Sequence, residues 1–375
     1  MTRFLHTADL QVGRKYSQFD PDDAVAMADE RIAVVVRMAE IAAAREVDAV
    51  LVAGDVFDLQ MVPDRTIRRL FAATSAFNGP WVMIPGNHDA ALAESVWTRA
   101  QRLGAVPENV RLALKRGVVE LPACQAAILA APLTQRHTFS DTTEFFDTVA
   151  TPEGWLRIGL AHGSVSGILA EDIDSANPIS STRTTSARLD YLALGDWHGF
   201  KIVDARCAYS GTPEQDRFRG NEPGYCLIVD VEPGGLPAVE PVRVGRFRWQ
   251  EMLFRVAVDS DVDVICSALQ ALDANDVVQL KVDGRTDLAG QRRLTEAIGK
   301  AHAVVQSLTY DLADLRLLPT AEDIAALRAD GYVADVIAEL REAQEAGRSA
   351  ADQHVAREAL AILCTELDGT AGAQA

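Results

Sequence analysis

The chain is poor in cysteine: five in 375 residues, at 124, 207, 226, 266 and 364, scattered and never spaced Cys-x-x-Cys. That argues against a disulfide framework and a thiolate zinc site, and favours a reducing, cytoplasmic setting. Long apolar runs are missing too. None reaches the ~18 residues of a membrane-spanning helix, so no membrane association is expected. No apolar stretch precedes the first charges of Met1-Thr-Arg-Phe-Leu-His-Thr-Ala-Asp9, so no secretion signal is expected either. Positive charge is in deficit, with 36 Lys and Arg against 54 Asp and Glu, a net charge of −18. A nucleic-acid binder driven by bulk charge has the opposite balance.

What is present is an ordinary globular composition, 48% hydrophobic and 24% charged. The length suits two or three domains. The charge deficit is uneven. Residues 1–250 hold 25 basic and 32 acidic residues, and residues 251–375 hold 11 and 22. That shift marks a boundary near 245–255. The expected organisation is a domain over 1–248, a small α/β domain over 249–315, a helical region over 316–368 and a flexible tail over 369–375.

Phe4 to Ala8 reads as a short apolar strand. Residues 22–46 read as a helix, because Val25, Ala28, Ile32, Val35, Ala39 and Ala42 recur every three or four positions. Ala49–Ala53 is a strand, 64–77 a helix and Trp81–Ile84 a strand, which together point to an α/β core. From about 110 strands dominate, as in a pair of packed sheets. Residues 251–311 alternate strand and helix once more, and helices follow at about 333–346 and 350–367. In the last, Val355, Ala359, Ile362 and Leu363 form an apolar stripe.

The polar residues of interest follow the apolar runs. They are Asp9 and Gln11, Asp55 and Asp58, Asn87-His88-Asp89, His162, and Asp196 with His198. Loops at strand ends are where α/β folds meet ligands. Five such ends, carrying carboxylates, imidazoles and amides but no thiolates, suit a hard divalent cation. Gly54, Gly86, Gly163 and Gly195 adjoin them, where a ligand needs close approach. Each residue alone reads more readily as a turn or cap; the ordered set does not.

Asp9-x-Gln11, Gly54-Asp55-Val-Phe-Asp58, Gly86-Asn87-His88-Asp89, Ala161-His162-Gly163 and Gly195-Asp196-x-His198 resemble the five motifs of calcineurin-like metallophosphoesterases. The flanking His6-Thr-Ala-Asp-Leu-Gln-Val-Gly, Tyr191-Leu-Ala-Leu-Gly and Tyr209-Ser-Gly-Thr-Pro-Glu resemble SbcD-type DNA double-strand-break repair exonucleases. The resemblance covers residues 1 to about 245, and 251–311 more loosely resemble that family's capping domain. It implies a four-layer αββα sandwich with a small C-terminal α/β capping domain and terminal helices. It implies two divalent metal ions, with Asp9, Gln11, Asp55 and His198 on the first and Asp55, Asn87, His162 and Asp196 on the second. Mn²⁺ is the expected ion, with Mg²⁺ or Fe as alternatives. His88 would be catalytic, stabilising the transition state or protonating the leaving oxygen, and Asp89 would orient it. The implied activity is that of an exonuclease on double-stranded DNA ends. The implied partners are an SMC-like ATPase of the SbcC type, bound through segments after the cap, and a second copy of the chain.

Two positions depart from that pattern, which has histidine where this chain has Gln11 and Asp196. A Gln amide is the weaker ligand, and a third carboxylate favours harder ions. Basic clusters supply local positive charge for phosphates: Arg14-Lys15 and Arg65, Arg68 and Arg69 first, then Arg217 with Arg219, and Arg243, Arg246 and Arg248. Trp197, between two ligands, would stack on a base or pack beside the site. His6, His137, His302 and His354 read as structural or surface residues. Two other readings remain: a phosphoesterase for a small phosphodiester or nucleotide, and a non-catalytic DNA-end or partner-binding subunit with a degenerate metal site.

Overall fold

In a computed structural model of the chain, residues 1–167, 177–218, 220–326, 331–345 and 349–372 are described. The chain divides into two compact units, Met1–Phe247 and Arg248–Ala375.

The first unit starts β1 (Thr2–Thr7), α1 (Pro21–Ala44), β2 (Ala49–Ala53), α2 (Asp64–Ala73), β3 (Trp81–Ile84), α3 (Val96–Arg102) and β4 (Val110–Leu112). Then come β5 (Gly117–Leu121), β6 (Ala126–Ala131), β7 (Leu156–His162), β8 (Ser164–Val165), β9 (Pro178–Ile179) and α4 (Arg183–Ser186). It closes with β10 (Tyr191–Gly195), β11 (Lys201–Asp204), β12 (Cys207–Tyr209), β13 (Tyr225–Val231) and β14 (Ala238–Arg243). Two six-stranded sheets result, in the orders β14-β13-β1-β2-β3-β4 and β11-β12-β10-β7-β6-β5. Strands β1 to β4 are mutually parallel, as are β6, β7, β10 and β12.

Strand alternation sorts the side chains into layers. Phe4, Leu51, Ala53, Val82 and Ile84 meet Ile128, Leu160, Tyr191 and Ala193 between the sheets. The opposite face of the first sheet, with Leu5, Val50, Val52 and Met83, packs on α1, α2 and α3. Both faces are buried, which is why these strands read as unbroken apolar runs. The outer face of the second sheet is covered by Phe146, Ala187 and Leu189, from a one-turn 3₁₀ helix and the short α4 region. The sandwich has its four layers, the fourth being thin.

The apolar face of α1 keeps Ile32, Val35, Ala39 and Ala42 of the expected stripe against the core and departs from it toward the N-terminus. Met27, Arg31, Val34, Val35 and Met38 are buried, whereas Val25 is exposed. Arg31 is fully buried on the same helix. Its guanidinium donates to Tyr16 Oη at 2.7 Å, to the Leu10 and Glu214 carbonyls at 3.0 and 3.1 Å, and to Thr212 Oγ1 at 3.2 Å.

The second unit contains β15 (Arg248–Val256), α5 (Asp259–Gln270), β16 (Asp276–Thr286), α6 (Leu288–His302), β17 (Ser307–Asp311) and β18 (Leu315–Leu317). Its four strands are parallel, with β16 central. Helices α7 (Ala321–Ala326), α8 (Gly331–Glu342) and α9 (Ala350–Gly372) follow. Helix α9 continues to Gly372, past the expected end at 367, with no proline to stop it. The last three residues of the expected tail, 373–375, lie outside the described residues. The expected stripe of α9 is also displaced. Val355 and Ile362 are exposed, while Leu360 and Cys364 pack with Leu288 and Ile337.

Candidate metal centre

The candidate residues gather where parallel strands of the two sheets end. Asp9 follows β1, Asp55 follows β2, Asn87 follows β3, His162 ends β7 and Asp196 follows β10. Asp9, Asp55 and Asp196 take left-handed backbone conformations, with φ of 53°, 51° and 103°. Such conformations are costly outside glycine and cluster at functional sites. Backbone bonds hold the turns: Asp9 N donates to Gly54 O at 3.0 Å and Gln11 N to Asp55 O at 2.9 Å. Close approach depends on two glycines. A Cβ on Gly54 would lie 2.4 Å from His162 Nδ1, and one on Gly86 would lie 2.2 Å from Asp55 Oδ1.

Asp9, Asp55 and His162 are buried, and each offers a ligand atom within 4.8 Å of the others. His162 Nδ1 bonds the Ala53 carbonyl at 2.8 Å, which turns Nε2 toward the acids. Nε2 lies 3.6 Å from Asp55 Oδ1 and 3.7 Å from Asp196 Oδ1. The Asn87 amide points its Oδ1 at the same place, 2.9 Å from His162 Nε2 and 3.0 and 3.1 Å from the Asp55 oxygens. Acceptors converging on one point need either a turned amide or a cation among them.

Electrostatics says the same. Burial opposes charge on His162, yet Asp55, Asp9 and Asp196 outweigh it and raise its pKa to about 9. Burial, partly offset by His198 and His162, pushes the Asp9 carboxyl up to about 6. Burial also raises Asp196. The cluster therefore demands positive charge, and hard oxygen donors with one imidazole fit a divalent metal.

His88 sits on the rim. Its Nδ1 bonds the Asp58 carbonyl at 2.8 Å, its backbone N donates to Asp55 Oδ1 at 2.9 Å, and its Nε2 lies 3.9 Å from Asp55 Oδ2. Asp89 does not orient that ring. Its carboxylate accepts from Phe57 N at 3.0 Å and Gly86 N at 2.7 Å, tying the β2 and β3 loops together. Burial, with Asp55 nearby, pushes Asp89 up to about 8.

Gln11 and His198 lie together, outside the Asp9–Asp55–His162 group but close enough for His198 to act on the Asp9 charge. Gln11 Nε2 lies 3.2 Å from His198 Nε2, and its oxygen accepts from Arg14 at 2.9 Å. Arg14, expected to meet phosphates, instead turns toward Asp58 and Asp216 at 3.3 Å each. Asp216 at this end was not foreseen as a site residue, and Arg217, expected to meet phosphates, lies against Asp216 and His198. Asp216 lies just past the Tyr209–Glu214 motif, the one signal that could have found it. Despite its burial, His198, Arg31 and Arg217 hold its carboxyl far below the usual range.

Lys15, Arg65, Arg68 and Arg69 are exposed, and Arg69 pairs with Asp29 at 2.7 Å. Arg219 lies outside the described residues. Trp197 packs on the outer core of the second sheet, with the Lys201 ammonium 5.6 Å from its ring centroid. His6 joins the sheets through Tyr191 Oη at 2.9 Å and the Leu194 carbonyl at 3.1 Å. His137, His302 and His354 are exposed. No helix of the described residues is long and apolar enough to cross a membrane.

Residues 2–229 match the family model described as calcineurin-like phosphoesterase. The DNA double-strand break repair protein Mre11 of Aeropyrum pernix is 27% identical over 279 residues, which cover 69% of this chain and 64% of that protein. The chain thus spans less than two thirds of that relative's length. The solved structure of TT1561 of Thermus thermophilus aligns with a TM-score of 0.41 at 12% identity, covering 65% of this chain and 99% of that one.

Proposed function

The chain belongs to the calcineurin-like phosphoesterase family, and we propose that it is a divalent-metal-dependent phosphodiesterase that degrades DNA from double-stranded ends. The observation that carries this reading is the buried convergence of Asp9, Asp55, His162 and the Asn87 oxygen beside a rim histidine. Asp55, Asn87 and His162 would hold the cation, with Asp9 and Asp196 completing its charge. A cation there supplies Lewis acidity, polarising a phosphoryl oxygen and lowering the pKa of water. The chain's own part is to orient and to move a proton. The Asp58 carbonyl fixes the His88 ring through Nδ1–H, leaving Nε2 to face the leaving oxygen and, when both ring nitrogens carry hydrogen, to deliver a proton to it. Asp89 keeps the His88 loop in place by stapling backbone. The DNA substrate is supported by the flanking motifs and by the repair role in the Mre11 relative's name. An SMC-like ATPase of the SbcC type is the proposed partner, and Mn²⁺ the proposed ion.

The test is turnover of a bis-aryl phosphodiester and of linear double-stranded DNA in Mn²⁺ and in Mg²⁺, with Asp55→Ala and His88→Ala alongside. Shortening of DNA from its ends, lost in both variants, is expected. Hydrolysis of the small diester alone, with or without an added ATPase, would replace DNA by a small substrate. No turnover of either would leave a binding subunit.

A further inference from the structure

The family resemblance implies two cations, yet the two ends of this site differ. At the Asp55–Asn87–His162 end, carboxylate, imidazole and amide groups converge on one point. At the His198 end, the atoms that would coordinate already have protein partners. Gln11 has one oxygen, and Arg14 Nη1 donates to it at 2.9 Å. The same Nη1 lies 3.3 Å from Asp58 Oδ1 and 3.3 Å from Asp216 Oδ2, so two carboxylates anchor the guanidinium. His198 is equally engaged. Its Nε2 faces the Gln11 amide nitrogen at 3.2 Å, and its Nδ1 faces Arg217 Nη2 at 2.8 Å and Asp216 Oδ1 at 3.2 Å. Whichever ring nitrogen carries the proton, the lone pair on the other meets a protein donor. Arg217 forks onto Asp216 through Nε and Nη2 at 3.1 and 3.2 Å, which keeps it beside the ring.

We propose that the chain binds one divalent cation, at Asp55, Asn87 and His162 with Asp9 and Asp196, and that the Arg14–Gln11 pair replaces a second cation at His198. The physical reason lies in the Gln11 position. An imidazole there presents a lone pair that attracts a metal. An amide oxygen is also an acceptor, but here an arginine already satisfies it. Arg14 brings fixed positive charge where a dication would otherwise sit, and Asp58 and Asp216 hold it there. No proton or metal needs to be recruited at that end.

This inference rests on the metal-site part of the proposed function, not on its DNA substrate. Its test is the metal content of the full-length chain, dialysed to equilibrium against excess Mn²⁺ and then freed of unbound ion. One Mn²⁺ per chain is expected, with the electron-paramagnetic-resonance spectrum of an isolated ion. Two per chain, or an exchange-coupled pair, overturns the inference and leaves the phosphodiesterase reading standing. No bound Mn²⁺ overturns both. One ion without turnover of any phosphodiester supports this inference and removes the other. The double variant Gln11→His with Arg14→Ala is expected to bind two. If it keeps its circular dichroism spectrum and still binds one, the Arg14–Gln11 assignment fails. The native stoichiometry decides the matter even if that variant does not fold.

Discussion

Single side chains at the centre divide by what their atoms touch. His88 and Asp89 are sequence neighbours with opposite fates. The imidazole reaches the rim of the acidic cluster, whereas the carboxylate turns away to accept two backbone N–H groups. On the proposed roles, replacing His88 by Ala removes a proton donor without removing a ligand. The expected result is a kcat lower by about 10²–10⁴-fold, the usual range for a lost general acid, at unchanged Mn²⁺ content. Loss of bound Mn²⁺ in the same variant would make His88 a ligand and not an acid. At this scale the sequence was legible where a polar residue follows an apolar strand run, as at Asp9, Asp55, His162 and Asp196. It was opaque where packing chooses a side chain's direction. Arg14 looked like a surface cation beside Lys15. Its inward turn depends on Asp216, far along the chain, and no local pattern encodes that.

Elements bring the ligands together through the contact between the sheets. Asp9 and Asp55 come from the first sheet, His162 and Asp196 from the second. His6 links them away from the ligands, accepting from Tyr191 Oη at Nδ1 and donating from Nε2 to the Leu194 carbonyl. Burial lowers its pKa to about 3 from the ordinary 6.5. Between those values the unfolded chain binds a proton that the folded chain does not. The His6 contribution to stability is therefore full above pH 6.5 and falls as the pH drops below it, by about 1.4 kcal/mol per unit. Groups common to both proteins cancel in a comparison, so the parent should lose more stability than a His6→Asn variant between pH 7.5 and 5.5, read from urea midpoints. Equal pH dependence in the two proteins would place the titration elsewhere. The elements themselves were legible where periodicity was strong, from β1 through β3 and in α1. Edge strand β14 escaped because it is largely exposed and contains Pro241, so it carries no buried alternation to read. The N-terminal part of the α1 stripe and the stripe of α9 departed from expectation for a related reason. Arg31 is buried by hydrogen bonding, and Cys364 by its neighbours, and neither fact follows from hydrophobic spacing.

For the whole molecule, a net charge of −18 means that DNA can be held only by a local surface. Arg14 is committed inward and Arg69 is paired with Asp29. Of the five cations first proposed for phosphates, that leaves Lys15 and, on α2, Arg65 and Arg68, all exposed. Each phosphate contact steepens the fall of log affinity with log salt by about 0.9. Neutralising all three as alanines should therefore weaken binding to linear duplex DNA and flatten the salt dependence by up to about 2.7. Exposed positions of this kind usually change stability by less than about 0.5 kcal/mol, so the thermal midpoint should hold. The control is an equal loss of charge elsewhere on the same unit, at the exposed Arg111, Lys115 and Arg116. If bulk charge governs binding, both triple variants will flatten the slope alike, and the surface beside the metal motifs has no special role. If only the Lys15–Arg65–Arg68 variant does so, an acidic protein engages a polyanion through a few cations placed beside its metal centre.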